Sequence, residues 1–352
     1  MKVGIVGLAG AGKTTVFNTL TGLKAEVGGY GGKEKPNVGI IKVPDPRIEE
    51  LTRIYKPKRK VLAEMVFVDV AGPEGERAKG SAELDPKLVA EMREVDALVH
   101  VVRGFNSPLI ERPLDLMRDI KAFESELILS DLIPIENRLN RMKKEKANPR
   151  EKELIEQCKA ILEAEQPLRS QSLSTDEWQL LAGFRFLTQK PMLLLLNLGE
   201  VEIGQPVPVE VQEYAQAGGL KLLTMCGKAE MEIAELPSEE QGEFLKDLGI
   251  TEPTRDRFIR AAYELLDLIS FLTAGEDECR AWTIKRGTIA QRAAGKVHSD
   301  IERGFIRAEV IAYQDFIACG SEARCKELGK LRLEGKEYIV QDGDIINFRF
   351  NV

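Results

Sequence analysis

Four stretches of the chain are apolar at nearly every position: Lys2–Val6, Ala63–Val70, Asp96–Val102 and Pro191–Leu196. Runs of this length, free of polar alternation, predict buried strands. A fifth, Lys221–Met225, is the last of this set, and Asn37–Val43 reads as a further strand. Between them the period changes. Val16, Phe17 and Leu20 stand at helical spacing, as do Ile48, Leu51 and Ile54 after the turn Pro44-Asp45-Pro46. From Leu132 the apolar positions recur every three or four residues (Ile135, Leu139, Met142). They break at Asn148-Pro149 and resume at Leu154, Cys158, Ile161 and Leu162. Narrow apolar seams with charged outer faces predict a helical hairpin. It is either a solvated hairpin or a partner-binding arm, and Pro167–Thr175 is its return linker. Strands alternating with helices predict an α/β fold.

The first strand runs straight into Gly7-Leu8-Ala9-Gly10-Ala11-Gly12-Lys13-Thr14, and a helix follows. Strand, loop and helix in this order fill every fixed position of G-x-x-x-x-G-K-[ST], the phosphate-cradling P-loop. Gly7 and Gly12 let the backbone curl so that its N–H groups face a phosphate chain, with Ala9, Gly10 and Ala11 between them. The helix turns its positive end to the same anion. Lys13 supplies a charge for the β- and γ-phosphates, Thr14 a hydroxyl ligand for Mg²⁺, and Thr15 continues the contact surface. The chain is therefore expected to bind a nucleoside triphosphate.

The strand Ala63–Val70 ends in Asp69-Val70-Ala71-Gly72, a D-x-x-G at the place where P-loop switch proteins hold Mg²⁺ and sense the γ-phosphate. Asp69 is the expected metal carboxylate and Gly72 the γ-phosphate contact. The strand Pro191–Leu196 delivers Asn197-Leu198-Gly199-Glu200 at its C-terminal end, where α/β folds place ligand contacts. GTPases carry N-K-x-D there; in this chain a leucine replaces the lysine and a longer Glu the Asp, so guanine reading is expected to suffer. Asn197, Leu198 and Glu200 are expected to face the base, joined by Cys226-Gly227-Lys228. Val27–Lys35, dense in glycine, is either a surface loop or a switch segment. His100, inside a buried strand, is expected to be structural.

The net charge of −7 gives no global nucleic-acid signature over 352 residues, a length comfortable for two or three domains. Five cysteines without C-x-x-C pairing suggest reduced thiols rather than a disulfide or zinc framework. The chain opens on the first core strand and holds no apolar run of membrane-span length. No signal peptide or membrane contact is expected, and a cytoplasmic protein is.

Several longer strings carry a resemblance: PNVG at Pro36–Gly39, VPDPR at Val43–Arg47, FVDVAG at Phe67–Gly72 and REVDALVHVVR at Arg93–Arg103. To these add Asn197–Glu200, Phe271–Val310 and Glu334–Val352. In them the chain resembles the YchF / Obg-like ATPase family, P-loop proteins of the translation-factor class that favour ATP over GTP. The resemblance implies a G-domain-like P-loop fold over residues 1–115 and 189–279 and an inserted helical hairpin over 116–188. It also implies a C-terminal β-grasp (TGS) domain over 280–352. It further implies slow Mg²⁺-dependent ATP hydrolysis and ribosome or RNA contact through the C-terminal domain and the hairpin. Lys285, Arg286, Arg292, Lys296, Arg303 and Arg307 are either that contact or ordinary solubilising charge. A GTPase of the same architecture, or a nucleotide-binding adaptor without turnover, are the alternatives.

This is a divergent member. The family loop reads G-x-P-N-V-G-K-S, whereas Ala9-Gly10-Ala11 here lacks the asparagine that helps hold potassium. No Ser or Thr lies between Thr21 and Thr52, so the family's switch I threonine is missing, and Lys33 stands near its place. Pro73 follows the D-x-x-G, where better-known GTPases place a water-orienting glutamine, and offers no side-chain hydrogen bond. The family histidine beyond H-V-V-R has no counterpart in Asn106–Leu116. Lys13 and Gly72 remain as catalytic contacts, and intrinsic hydrolysis is expected to be slow.

Overall fold

The structure, a computed structural model, describes residues 1–25, 36–70, 84–108, 110–145, 148–250 and 252–351. Two compact units divide the chain. The first holds Met1–Ile40 and Val66–Ala261, the second Ile41–Met65 and Ala262–Val352.

β1 (Lys2–Val6) is followed in the chain by β2 (Asn37–Val43), β3 (Arg59–Val61), β4 (Ala63–Asp69), β5 (Ala97–Gly104), β6 (Met192–Leu198) and β7 (Lys221–Met225), of which β3 belongs to the second unit. All of these but β3 form one sheet in the order β2-β4-β1-β5-β6-β7. The pairs β4–β1, β1–β5, β5–β6 and β6–β7 are parallel. The strands expected from unbroken apolar runs are the central ones. β5 is buried at all its positions, because helices cover both faces of a parallel sheet.

The helices up to residue 265 are α1 (Lys13–Thr21), α2 (Pro46–Tyr55), α3 (Pro86–Arg93), α4 (Leu116–Met142), α5 (Pro149–Glu163), α6 (Thr175–Leu180), α7 (Val209–Ala217), α8 (Gly227–Ala234), α9 (Ser238–Asp247) and α10 (Thr254–Leu265), of which α2 lies in the second unit. α4 and α5 form the expected hairpin. The Asn148-Pro149 break is the start of α5, where the Asn148 side chain accepts from the Arg150 N–H and Pro149 takes the first helical position. α4 serves two cores. Its first half (Ile120, Phe123, Leu127) packs under the sheet, and its second (Ile135, Met142) packs on Leu154, Cys158 and Leu162 of α5.

Pro134 lies inside α4 and cannot donate to the Ser130 carbonyl. The Arg93 guanidinium takes that carbonyl at 2.9 Å, also binds the carbonyls of Phe184 and Arg185, and pairs with buried Asp131 at 3.2 Å. The helix can continue through its proline because a side chain from α3 satisfies the freed oxygen.

The second unit adds β8 (Leu268–Thr273), β9 (Glu278–Lys285), α11 (Ala290–Val297), α12 (Ser299–Arg303), β10 (Phe305–Ala312), α13 (Tyr313–Cys319), α14 (Glu322–Glu327), β11 (Arg332–Glu334) and β12 (Asp344–Phe350). Its sheet runs β11-β10-β12-β8-β9-β3. The expected domain start at residue 280 falls inside β9, whose antiparallel partner β8 begins twelve residues earlier. Residues 41–65, expected in the P-loop domain, belong to this second unit, because β3 pairs in parallel with β9. Arg47, on α2, is clamped within the same unit, bonding Asp45 at 2.8 Å and Asp342 at 2.9 Å. The five cysteines are free thiols, and all but Cys319 are buried.

Candidate functional site

The loop between β1 and α1 has the backbone its sequence requires. Gly7 stands at φ +145°, and a Cβ there would come within 2.4 Å of the Val101 carbonyl oxygen on β5. Gly12 stands at φ +85° and caps α1. A Cβ at Gly12 would lie 2.3 Å from Asn197 Nδ2, so any side chain there displaces the Asn197 amide. No side chain caps α1, which leaves the first-turn N–H groups of Lys13, Thr14 and Thr15 to an anion. Ala9 and Gly10 are exposed at the loop tip and Ala11 is buried beneath it. Lys13 Nζ donates to the carbonyls of Gly7 and Leu8 at 3.1 and 3.2 Å, folded over the loop it serves.

Thr14 and Asp69, the two residues expected to hold a metal, lie side by side. Thr14 Oγ1 donates to Asp69 Oδ2 at 3.0 Å, which brings α1 and the end of β4 together. Asn37 Nδ2, at the start of β2, donates to the same oxygen at 3.1 Å. Asp69 Oδ1 is buried with no hydrogen-bond partner among the described residues. A buried anionic oxygen left over beside a threonine hydroxyl matches the chemistry of a hydrated Mg²⁺, so Thr14 and Asp69 fit that ion. Gly72, Pro73 and Lys33 lie outside the described residues.

At the base end Asn197 takes a different part from the one expected. Its side chain is 4% exposed. Nδ2 donates to the Ala11 carbonyl at 3.0 Å, and Oδ1 accepts from the Gly227 N–H at 3.1 Å. Asn197 thus braces the P-loop against the start of α8 with the two ends of its amide, instead of turning them to a base. Leu198 packs on the core. Glu200 is exposed and pairs with Lys228 at 2.9 Å, so the motif's carboxylate and the last loop's lysine meet. Cys226 is buried, which pushes its thiol up and keeps it protonated. Thr19 Oγ1 also reaches the Gly227 carbonyl, at 3.1 Å.

Asn18, which sequence reading passed over, bonds residue 25 with both ends of its amide, at 2.7 and 2.9 Å, and so fixes the chain leaving α1. A buried asparagine in a helix is the signal that could have found it.

His100 on β5 is 1% exposed and lies against Phe123, with ring centroids 4.3 Å apart. Burial first, then the charges of Arg169 and Lys13, push its pKa down to about 3, so the ring is neutral. A cavity of about 430 Å³ lies at the opposite, N-terminal ends of β5 and β6. Its cations are engaged: Arg185 pairs with Glu94, and Lys190 donates to the carbonyls of Arg93 and Val95. In the second unit Arg286, Arg292 and Arg303 pair with Asp267, Glu302 and Asp300. His298 caps α12, accepting at Nδ1 from the Asp300 N–H. Among the described residues no helix is long and apolar enough to cross a membrane.

A parallel sheet whose first strand feeds a G-x-x-x-x-G-K-T loop, with a carboxylate at the end of the next strand beside its threonine, defines a P-loop nucleotide-binding domain. Comparison with known proteins narrows the class. Residues 2–137 match the family described as 50S ribosome-binding GTPase, and residues 268–351 match the YchF-GTPase C-terminal family, described as a protein of unknown function. The chain is 43% identical over 365 residues to the ribosome-binding ATPase YchF of Bacillus subtilis, with all of both chains covered. It is 41% identical to that of Escherichia coli O157:H7, covering all of this chain and 99% of the other. Among solved structures, the Schizosaccharomyces pombe YchF GTPase aligns with a TM-score of 0.86 at 31% identity, over 99% of this chain and 97% of that one. The chain belongs to the YchF family.

Proposed function

We propose that the chain binds ATP with Mg²⁺ and hydrolyses it slowly to ADP and phosphate, as a nucleotide switch on the ribosome. The observation that carries this is the Thr14–Asp69 pair under the P-loop, with a buried oxygen that has no partner among the described residues. When bound, Mg²⁺ would supply charge neutralisation for the triphosphate. The chain's own groups do the rest in this reading. Lys13 leaves the Gly7 and Leu8 carbonyls for the β- and γ-phosphates, the α1 N–H groups hold the phosphate chain, and Gly72 meets the γ-phosphate. Asn197 holds the loop that does this, and Glu200 reads the base. No water-orienting side chain can be named, in keeping with a slow rate.

The ribosome as partner is supported by the printed names of the bacterial relatives. Lys285, Lys296 and Arg307 of the proposed TGS domain, which form no ion pair among the described residues, offer phosphate contacts, and the α4–α5 hairpin offers a second surface. The name of the fission-yeast relative favours GTP as the second reading. Equilibrium binding of ATP and GTP with Mg²⁺, then turnover on the same sample, tests both. Tight ATP and weak GTP binding with measurable turnover is expected. Preference for GTP overturns the base assignment, and tight binding without turnover leaves a nucleotide-dependent adaptor.

A further inference from the structure

We infer that Asn37 is the positioning residue through which strand β2 sets the metal carboxylate, in a chain with no serine or threonine between Thr21 and Thr52 for that work. The inference rests on the Mg²⁺–nucleotide reading above.

Asp69 Oδ2 accepts two hydrogen bonds, from Thr14 Oγ1 at 3.0 Å and from Asn37 Nδ2 at 3.1 Å. Two donors on one oxygen fix the rotation of a carboxylate. The consequence is the other oxygen: Oδ1 is held in a buried position without a partner among the described residues. With Thr14 alone the carboxylate could turn about its Cβ–Cγ bond. The donor from β2 comes from a different element, so the two bonds triangulate it.

The residue type matters too. A lysine at 37 would neutralise Asp69 and compete with a cation, and an aspartate would repel it. A carboxamide orients the carboxylate and leaves its full negative charge for a divalent ion. The sequence makes the substitution legible in retrospect. No serine or threonine stands between Thr21 and Thr52, and Asn37 heads the strand that lies within that stretch.

The test is the affinity of the full-length protein for a non-hydrolysable ATP analogue, titrated with Mg²⁺ and repeated in EDTA. Groups that orient a ligand from behind it typically change metal affinity by about 10–100-fold, so Asn37→Ala is expected to lose about tenfold or more of the Mg²⁺-dependent gain. Its affinity in EDTA, set by the P-loop backbone, should stay within about twofold of wild type. If Asn37→Ala does not fold, Asn37→Thr, strand-favouring and with a shorter donor, carries the same comparison. An equal loss with and without Mg²⁺ makes Asn37 merely structural and overturns the inference, as does an unchanged Mg²⁺-dependent gain. If the wild-type protein itself shows no Mg²⁺-dependent gain, the nucleotide reading is what fails.

Discussion

Replacing Asn197 by alanine tests whether this residue braces the phosphate loop or reads the base. In the structure its amide spends both ends on backbone, the Ala11 carbonyl at 3.0 Å and the Gly227 N–H at 3.1 Å, with all three groups in buried residues. Truncation leaves one buried acceptor and one buried donor without partners. Each such group costs about 1–3 kcal/mol, so the pair amounts to about 2–4 kcal/mol once the exposed loop tip lets some water in. For a unit of this size that corresponds to a fall of roughly 5–15 °C in the unfolding midpoint. Asn197→Asp sharpens the test. It keeps the acceptor for Gly227 and the volume, but turns an oxygen onto the Ala11 carbonyl, so it should be at least as destabilising. The assay is thermal and urea unfolding without nucleotide, followed by binding of ATP and of inorganic tripolyphosphate, which has no base. A brace predicts that both ligands bind more weakly, because the cradle itself loosens. Unfolding within about 0.5 kcal/mol of wild type, the range of an unremarkable surface change, would refute the reasoning. So would tripolyphosphate affinity that does not move.

His100 predicts a pH dependence. Its pKa, pushed down to about 3 by burial, means that the folded protein keeps the ring neutral while the unfolded chain takes up a proton near pH 6.5. The stability it contributes is complete above that value and is lost as pH falls toward 3, at about 1.4 kcal/mol per pH unit. His100→Phe should flatten this part of a stability-versus-pH curve measured by urea unfolding; an unchanged slope would show that other groups set it. The buried Arg169–Glu124 pair, at 2.7 Å and with each side chain under 10% exposed, predicts a loss of about 3–5 kcal/mol in Arg169→Ala, because Glu124 is left buried without the partner that offsets its desolvation. Replacing both with apolar residues should recover most of it by the same urea assay. Glu200→Asp should leave unfolding unchanged within about 1 kcal/mol, since the Lys228 pair is exposed, yet move the ratio of ATP to GTP affinity about tenfold toward GTP. Competition binding reads that ratio, and an unmoved ratio would take Glu200 out of base reading.

What the sequence made legible was whatever is local. The P-loop occupies eight consecutive residues, and its glycines, lysine and threonine stand where the spacing requires them. The central strands are unbroken apolar runs because both their faces are covered. What stayed illegible depends on distant partners. β3 is three residues, exposed at Arg59 and Lys60 and half-buried at Val61, with no pattern of their own, and becomes a strand only by pairing with Glu278–Arg280. Residues 41–65 therefore looked like part of the first domain. β8 is equally apolar whichever unit it joins, and only its register with β9 moves the boundary from 280 back to 262. The helical seam Leu132–Met142 passes through Pro134, and what lets it do so, Arg93 forty-one positions earlier on the carbonyl the proline frees, has no signal in the sequence.

Asn197 shows the limit most clearly, since a motif names a position without saying which atoms are already spent. An exposed amide at the end of a parallel strand would be free to meet a ligand. A buried one has to satisfy itself first, and here the nearest groups are Ala11 and Gly227. The same accounting separates the two carboxylates of the site. Asp69 is buried with one oxygen unpartnered among the described residues, while Glu200 is exposed and already paired with a lysine. A cation would gain most at the first, where burial weakens the screening of the charge. At the second, a base has to displace Lys228 or share the carboxylate with it. On the proposed reading, phosphate and metal contacts come from groups the fold already holds in place, and base choice from one exposed ion pair worth about 1 kcal/mol or less. A substitution at Glu200 should therefore move base preference with little cost in folding stability, whereas loosening the phosphate cradle, as in Asn197→Ala, should carry such a cost.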